Sequence, residues 1–254
     1  MHAFLADATV IAQALSMDFS KNTPLQSITL YLFFAGTVAM GAGALYFFLL
    51  RNNVEPVYRS TMVVAGLVCA IACFHYFKMT HVYQESGGKD FPTALRYIDW
   101  LFTTPLLLIK FPLLLRMGDR GTKFFFQLVV LDVAMIATAF IAETSEVNSE
   151  RWWTFFLVAC VCEALIVGVL FMSLGQAIAE APAPLARSLE TMRLFILIGW
   201  AVYPIGFLMA RSGNGEYREI VYNISDVINK VGFGLVAYHG IQAMSHSQES
   251  HGRA

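Results

Sequence analysis

The sequence predicts an all-α fold, a bundle of seven transmembrane helices, and three observations support this prediction. Of the 254 residues, 57% are hydrophobic and only 14% are charged, and the mean hydropathy is +0.59. A soluble domain of this length needs considerably more charge to cover its surface. The apolar residues also fall into seven runs of about 20 residues or more, the length that a helix needs to cross a bilayer. Turn-forming residues separate these runs.

The predicted helices lie at approximately residues 26–50, 58–83, 92–116, 123–143, 152–178, 186–211 and 217–245. Turn-forming sequences follow five of them: RNNVEPVYR after the first, QESGGKDFP after the second, RMGDRGTK after the third, EAPAPLAR after the fifth and RSGNGEYRE after the sixth. Pro92 fits the start of the third helix, while Pro182 and Pro184 cannot continue the fifth. No repeat and no linker divides the chain, so we expect a single domain.

The helical domain is expected to cover residues 25–246, between an external segment at residues 1–24 and a cytoplasmic tail at residues 247–254. Residues 1–20 lack a basic stretch and a clean cleavage site, so an external amphipathic piece is favoured over a weak signal peptide.

Lysine and arginine residues predict the orientation of the helices, because cytoplasmic loops carry an excess of them. With the N-terminus outside, the inner loops hold Arg51, Arg59, Arg116, Arg120, Lys123, Arg187 and Arg193. The outer loops then hold Lys89, Arg151, Arg211 and Arg218, diluted by Glu85, Asp90, Glu143, Glu146 and Glu150. We therefore expect the N-terminus outside and the C-terminus in the cytoplasm.

Composition also excludes some functions. The net charge of −1 offers no basic field for nucleic acid. The four cysteines lie inside apolar runs, without the spaced histidines or further thiols of a zinc site. We expect no metal site and interpret the cysteines as small buried apolar residues.

The third helix, RYIDWLFTTPLLLIKF from Arg96 to Phe111, carries charges in an apolar run. A charge at mid-bilayer costs from about 2.5 to more than 10 kcal/mol, so such residues usually serve a function. Asp99 and Thr103 share a face, and Lys110 lies about 20° from the direction of Asp99 and about 16 Å along the helix. This arrangement suits a proton relay. Alternatively, Arg96 and Lys110 reach to the two interfaces and Asp99 satisfies a partner.

The seventh helix, SDVINKVGFGLVAY, places Asp226 and Lys230 one turn apart. A bare ammonium there is costly, so Lys230 must be paired, deprotonated or covalently modified, and buried lysines readily form Schiff bases. A protonated Schiff base needs a counterion, which Asp226 or Asp99 can supply.

The sixth helix, FILIGWAVYPIGF, places Trp200 and Tyr203 beside Pro204, which favours a kink. With Trp100 these side chains suit the wall of a site for a flat apolar ligand, although ordinary aromatic packing is the simpler explanation of the sixth helix alone.

Together, RYIDWLFTTPLLL, GWAVYPIGF and SDVINKVGFG resemble the third-, sixth- and seventh-helix signatures of microbial rhodopsins. The chain is most similar to proteorhodopsins, in particular to bacterial pumps with lysine at the donor position, and the resemblance covers residues 25–246. It implies a light-driven outward proton pump rather than an enzyme. Lys230 would hold all-trans retinal as a protonated Schiff base, Asp99 would accept its proton and Lys110 would act as the cytoplasmic-side donor, where most relatives have a carboxylic acid.

The resemblance assigns further residues by motif. Thr103 would be the second residue of the pump signature, Arg96 and Asp226 would complete the counterion cluster, and His75 in CFHYF resembles a histidine placed against the acceptor. Leu107 stands where green-absorbing relatives carry leucine, which implies green absorption. The retinal pocket would include Lys230, Trp100, Thr104, Leu107, Met135, Trp200, Tyr203 and Pro204.

Other positions fit the resemblance less fully. Asp132 in VLDVAM is interpreted as a hydrogen-bonded structural acid, and Phe156 stands near the position where some relatives have a glycine that admits a carotenoid, so we expect no antenna. Glu163 stands where a large apolar or aromatic residue is expected, and the sequence gives no account of it.

The resemblance also implies an inner (plasma) membrane location among lipids, with protons as cargo, and a homo-oligomer, since relatives form trimers, pentamers or hexamers. One alternative is a sensory rhodopsin that signals to a transducer, which Lys110 disfavours because a sensor needs no efficient donor. The other is a heptahelical receptor or transporter that binds no retinal and leaves Lys230 unmodified.

Overall fold

The computed structural model describes the backbone of residues 23–251, and within this range the chain is helical apart from short turns. Seven helices follow one another: α1 (Pro24–Leu50), α2 (Arg59–Glu85), α3 (Thr93–Leu114), α4 (Gly118–Glu143), α5 (Glu150–Ala179), α6 (Ala183–Arg211) and α7, which consists of Gly215–Val227, Ile228–Gly232 and Phe233–His251. Two single 3-10 turns, Arg51–Asn53 and Pro56–Tyr58, join α1 to α2. The predicted seven-helix fold is confirmed. The external segment expected at residues 1–24 lies almost entirely outside the described residues.

Two helix boundaries differ clearly from the prediction. Helix α4 begins at Gly118 rather than at residue 123, and α7 continues to His251, into the predicted tail. Both extensions are polar, and apolar runs report only the length within the hydrocarbon region, whereas a helix continues beyond it.

Capping residues fix the beginnings of α1 and α5. The amide of Gln26 donates to Oγ1 of Thr23 at 3.2 Å, and the amide of Thr23 donates back to Oε1 of Gln26 at 2.9 Å. The amide of Trp152 donates to Oγ of Ser149 at 3.1 Å. These contacts satisfy amides that otherwise have no partner at a helix start.

The helices form a closed ring, in which each packs against its neighbours in sequence and α7 returns to pack against α1. Helices α1 to α6 are long and apolar enough to cross a membrane. Large apolar side chains such as Leu49, Phe126 and Met172 lie exposed on the outside of the ring, at 74%, 69% and 81%. The chain is therefore an integral membrane protein whose outer surface suits lipid.

Helix α7 differs from the other helices because its first segment, Gly215–Val227, turns a polar face toward the interior of the ring. Arg218, Glu219, Asn223 and Asp226 are all at most 5% exposed. Arg218, which the sequence analysis assigned to an outer loop, thus lies inside the bundle, where Glu143 and Glu219 compensate its charge. Buried charges in a membrane require such partners.

Irregular backbone concentrates at the middle of α3, α6 and α7. Helix α3 is interrupted at Ile109, one turn after Pro105. Helix α6 contains the π-helical segment Phe195–Gly199 shortly before Pro204, and α7 contains a second one, Ile228–Gly232. Such π segments often occur at functional sites, and the second one carries Lys230.

Candidate functional site

The centre of the bundle holds one amine between two carboxylates. Nζ of Lys230 lies 3.0 Å from Oδ2 of Asp99 and 3.1 Å from Oδ1 of Asp226. All three side chains are at most 3% exposed. Asp226 precedes Lys230 by one turn of α7, while Asp99 reaches them from α3 across the interior of the ring. The structure therefore brings together the three residues that the sequence singled out for a Schiff base and its counterions.

Asp226 is held by four side chains. Its Oδ2 accepts a hydrogen bond from the Tyr76 hydroxyl at 2.8 Å and lies 3.3 Å from Nη1 of Arg96. Its Oδ1 accepts from the Tyr203 hydroxyl at 2.6 Å and from Nε1 of Trp100 at 3.2 Å. These donors come from α2, α3 and α6, so Asp226 is fixed from several sides.

Asp99 has fewer partners. Apart from the Lys230 amine, the nearest polar group with a measured distance is Nδ1 of His75, 3.8 Å from Oδ1, which is too long for a hydrogen bond. The same nitrogen lies 2.9 Å from the carbonyl of Ile71, which can only accept, so Nδ1 carries the hydrogen in that contact. Thr103 shares a face with Asp99, as predicted, but its hydroxyl donates to the backbone carbonyl of Asp99 at 2.8 Å.

Arg96 connects the central carboxylates to an outer ion network. Its Nη2 donates to Oε2 of Glu219 at 2.6 Å and to Oδ1 of Asn223 at 2.8 Å. Glu219 also pairs with Arg218 at 3.0 Å, and Arg218 pairs with Glu143 of α4 at 2.5 Å. Charges of opposite sign thus alternate from Asp226 outward.

The sequence analysis missed most of this network. Glu219, Asn223, Asp226 and Lys230 follow one another at intervals of four, three and four residues, which places them on one face of a helix. That spacing was the available signal. For Tyr76 the only signal was its position directly after His75 in CFHYF.

Lys110 lies on the other side of the site, in the short segment Lys110–Leu114 that ends α3. Its side chain is fully buried, and its amine has no hydrogen-bond partner within the part of the chain that the structure describes. The ring of Phe233 on α7 lies beside it, with its centre 4.9 Å from Nζ. The structure thus places a single amine in an apolar environment, separate from the carboxylates.

A cavity inside the bundle is lined by Lys230. All eight residues predicted for a retinal pocket line it: Lys230, Trp100, Thr104, Leu107, Met135, Trp200, Tyr203 and Pro204. Trp100 and Tyr203 meet edge to face with ring centres 4.8 Å apart. The aromatic and aliphatic walls fit a flat apolar molecule, and the amine fits an aldehyde that it can bind covalently, so the donor set suits retinal.

Three stacked aromatic rings lie between α5 and α6 beside this cavity. The ring of Phe207 lies 4.7 Å from that of Trp152 and 4.8 Å from that of Phe156. Phe156 itself lines the cavity. That no antenna binds beside Phe156 stays a prediction.

Asp132 ties α4 to α3. Its Oδ2 lies 2.7 Å from the hydroxyl of Thr104, which lies 2.8 Å from the carbonyl of Trp100. This contact is compatible with the structural acid that the sequence predicted. The four cysteines are unpaired, and among the described residues no cluster of His, Cys, Asp and Glu is arranged to hold a metal ion.

Comparison with known proteins gives concordant results. Residues 27–244 match the family model described as bacteriorhodopsin-like protein. A green-light absorbing proteorhodopsin from Gamma-proteobacterium EBAC31A08 is 32% identical over 213 residues, which cover 82% of this chain and 84% of the relative.

Two solved structures are also similar. The rhodopsin of Exiguobacterium sibiricum is 44% identical, with a TM-score of 0.78 over 86% of this chain and 97% of its own. Xanthorhodopsin, described as a light-driven ion pump with dual chromophore, is 29% identical, with a TM-score of 0.82 over 90% and 98% of the two chains.

Proposed function

We propose that this chain, which belongs to the bacteriorhodopsin-like family, is a light-driven proton pump with all-trans retinal held at Lys230. The observation that carries the proposal is the position of the Lys230 amine, 3.0 and 3.1 Å from two buried carboxylates and in the wall of an aromatic cavity. When bound there, retinal supplies the absorption of light, the change of shape and the proton that is moved.

Asp99 is the proton acceptor in this proposal. Both carboxylates lie within reach of the amine, but four side chains already donate toward the oxygens of Asp226. The oxygens of Asp99 receive no hydrogen bond from other described side chains besides the amine contact. Asp99 is therefore the carboxylate with room for an additional proton.

His75 assists Asp99 from α2. Its Nδ1–H donates to the Ile71 carbonyl at 2.9 Å and lies 3.8 Å from the carboxylate, so a small movement exchanges the first contact for the second. An imidazole in this position can share the proton that Asp99 receives.

Arg96 and the ion network beyond it serve the outward half of the route. The Arg96 guanidinium compensates the second central carboxylate and links it to Glu219. With the N-terminus outside, as the distribution of Lys and Arg favours, this network faces the external side and transport is outward.

Lys110 returns a proton from the cytoplasmic side. Burial without a partner penalises the charged form of an amine, which suits a group that takes up a proton and releases it again within one cycle. In this proposal Lys110 takes a proton from the cytoplasm late in the cycle and passes it toward Lys230. A sensor needs no such group, which is why we propose a pump.

We further propose that the pigment absorbs green light, because Leu107 lies in the cavity wall and is the residue that green-absorbing relatives carry at this position. We also propose that it resides as a homo-oligomer in the inner membrane.

The proposal is tested by expressing the chain in a bacterial host with all-trans retinal, recording the visible spectrum and measuring the pH of an unbuffered suspension in light. We expect a visible band and an acidification that a protonophore abolishes. Lys230→Ala should lose the band completely, while the exposed Lys123→Ala should keep it. A coloured Lys230→Ala variant contradicts the binding site, and a coloured wild type without a pH change favours a sensor.

A further inference from the structure

Glu163 is a carboxyl group in the cavity wall that the proposed pump does not use. It lies on α5 and faces the cavity together with Ala159 and Cys160, one turn earlier. The side chain is half-buried. Within residues 23–247, whose side chains the structure describes, neither a hydrogen bond nor a salt bridge reaches its carboxyl group.

Glu163 and Lys230 line the same cavity from different helices. Helix α5 packs between α4 and α6, whereas α7 packs between α6 and α1, so the helices that carry the two residues are not neighbours in the ring. A ligand that is attached at Lys230 and fills the cavity therefore also reaches the part of the wall that contains Glu163.

Other polar groups of the cavity lining have partners. The Tyr97 hydroxyl donates to the Ala139 carbonyl at 3.3 Å, the Tyr222 hydroxyl to the Tyr203 carbonyl at 2.5 Å and the Asn229 amide to the Gly199 carbonyl at 2.9 Å. A carboxyl group without a partner in an apolar wall is unfavourable. An unsubstituted hydrocarbon ring cannot form a hydrogen bond with this carboxyl group, whereas a ring that carries an oxygen can.

We propose that Glu163 recognises a hydrogen-bonding oxygen at the ring end of the chromophore, so that the pocket prefers a ring-hydroxylated retinal over unsubstituted retinal. This inference rests on the proposed function of Lys230. A ring hydroxyl donates to the Glu163 carboxylate or accepts from its protonated form, and in either case the carboxyl group gains a hydrogen-bond partner.

The experiment is a competition between two aldehydes. Apoprotein is incubated with equal amounts of all-trans retinal and all-trans 3-hydroxyretinal, and the bound aldehydes are extracted and quantified. We expect wild type to be enriched in the hydroxylated form by about tenfold, the effect of one net favourable hydrogen bond. Glu163→Met should bind both equally and Glu163→Gln should retain part of the preference. Glu150→Gln, which removes an exposed carboxyl from the same helix, should behave as wild type.

Equal enrichment in wild type and Glu163→Met overturns the inference. A second measurement needs no variant: the carboxyl bands of infrared spectra should differ between wild-type pigments formed with the two aldehydes, and identical bands overturn the inference. If neither aldehyde gives a pigment, both this inference and the proposed function fail. A pigment that forms equally well with both aldehydes contradicts only the role of Glu163.

Discussion

The two halves of the bundle handle buried charge in opposite ways. On the side of Arg96, five charged groups from Asp226 to Glu143 form a chain of ion pairs between 2.5 and 3.3 Å. On the side of Lys110, one amine is buried among apolar groups without a hydrogen-bond partner in the described chain. Among the described residues, a proton released at the centre therefore meets a chain of charged groups on the side of Arg96 and one isolated amine on the side of Lys110.

The largest effect is expected at the junction of the two halves. Asp99→Asn replaces the proposed acceptor by an amide that cannot take the proton, so light-driven acidification should fall by about 100-fold or more. The variant is measured as a pigment in cells under light. Asp132→Asn removes another buried carboxyl, on α4, and should keep most of the activity. Full pumping by Asp99→Asn contradicts the assignment of the acceptor.

The apolar half is tested by the kinetics of Lys110→Met, which keeps the volume and removes the amine. Reprotonation must then draw directly on protons in solution, so we expect recovery of the resting pigment to slow by about 100-fold. The recovery rate should fall further as the pH rises, by about tenfold per pH unit if it is first order in protons. Flash photolysis measures both. Unchanged recovery removes Lys110 from the route, and the absorption maximum should hardly move.

The same substitution in each half should change stability with opposite sign. Arg96→Met removes the cation that Glu219 and Asp226 share and leaves them only their pairs with Arg218 and Lys230. Breaking such buried pairs costs about 3–5 kcal/mol. Lys110→Met instead removes an amine that lacks a hydrogen bond, which should stabilise the fold by about 1 kcal/mol or more. The thermal loss of the visible band measures both. A destabilised Lys110→Met shows that its amine has a partner in solution.

The smallest effect is expected at the outer end of the ion network. Glu143 is half-buried, with 17% of its side chain exposed, so its pair with Arg218 is partly screened by solvent. Glu143→Gln should therefore destabilise the pigment by at most about 1 kcal/mol. The exposed Glu146→Gln is the matched control and should cause no change. A loss as large as that of Arg96→Met contradicts the ordering from the centre outward.

The sequence was sufficient to predict the features that the lipid bilayer imposes on the chain. Apolar runs of bilayer length predict the helices, and charges inside the runs identify Asp99, Lys110 and Lys230, because lipid makes both features costly to violate. Glu219 and Asn223 were missed as partners of Arg96 because they lie in the polar start of α7, next to Arg218, which the sequence analysis placed in an outer loop. The π segments were also missed, since their backbone is set by contacts between helices rather than by a local motif.

The contact between those two π segments has a mechanical consequence. Nδ2 of Asn229 donates to the carbonyl of Gly199 at 2.9 Å, and a Cβ on Gly199 would overlap the Asn229 side chain. Asn229 immediately precedes Lys230, so this hydrogen bond joins the π segment of α6 to the backbone that carries the amine. A movement of the backbone at Lys230 is therefore coupled through this hydrogen bond to the π segment of α6.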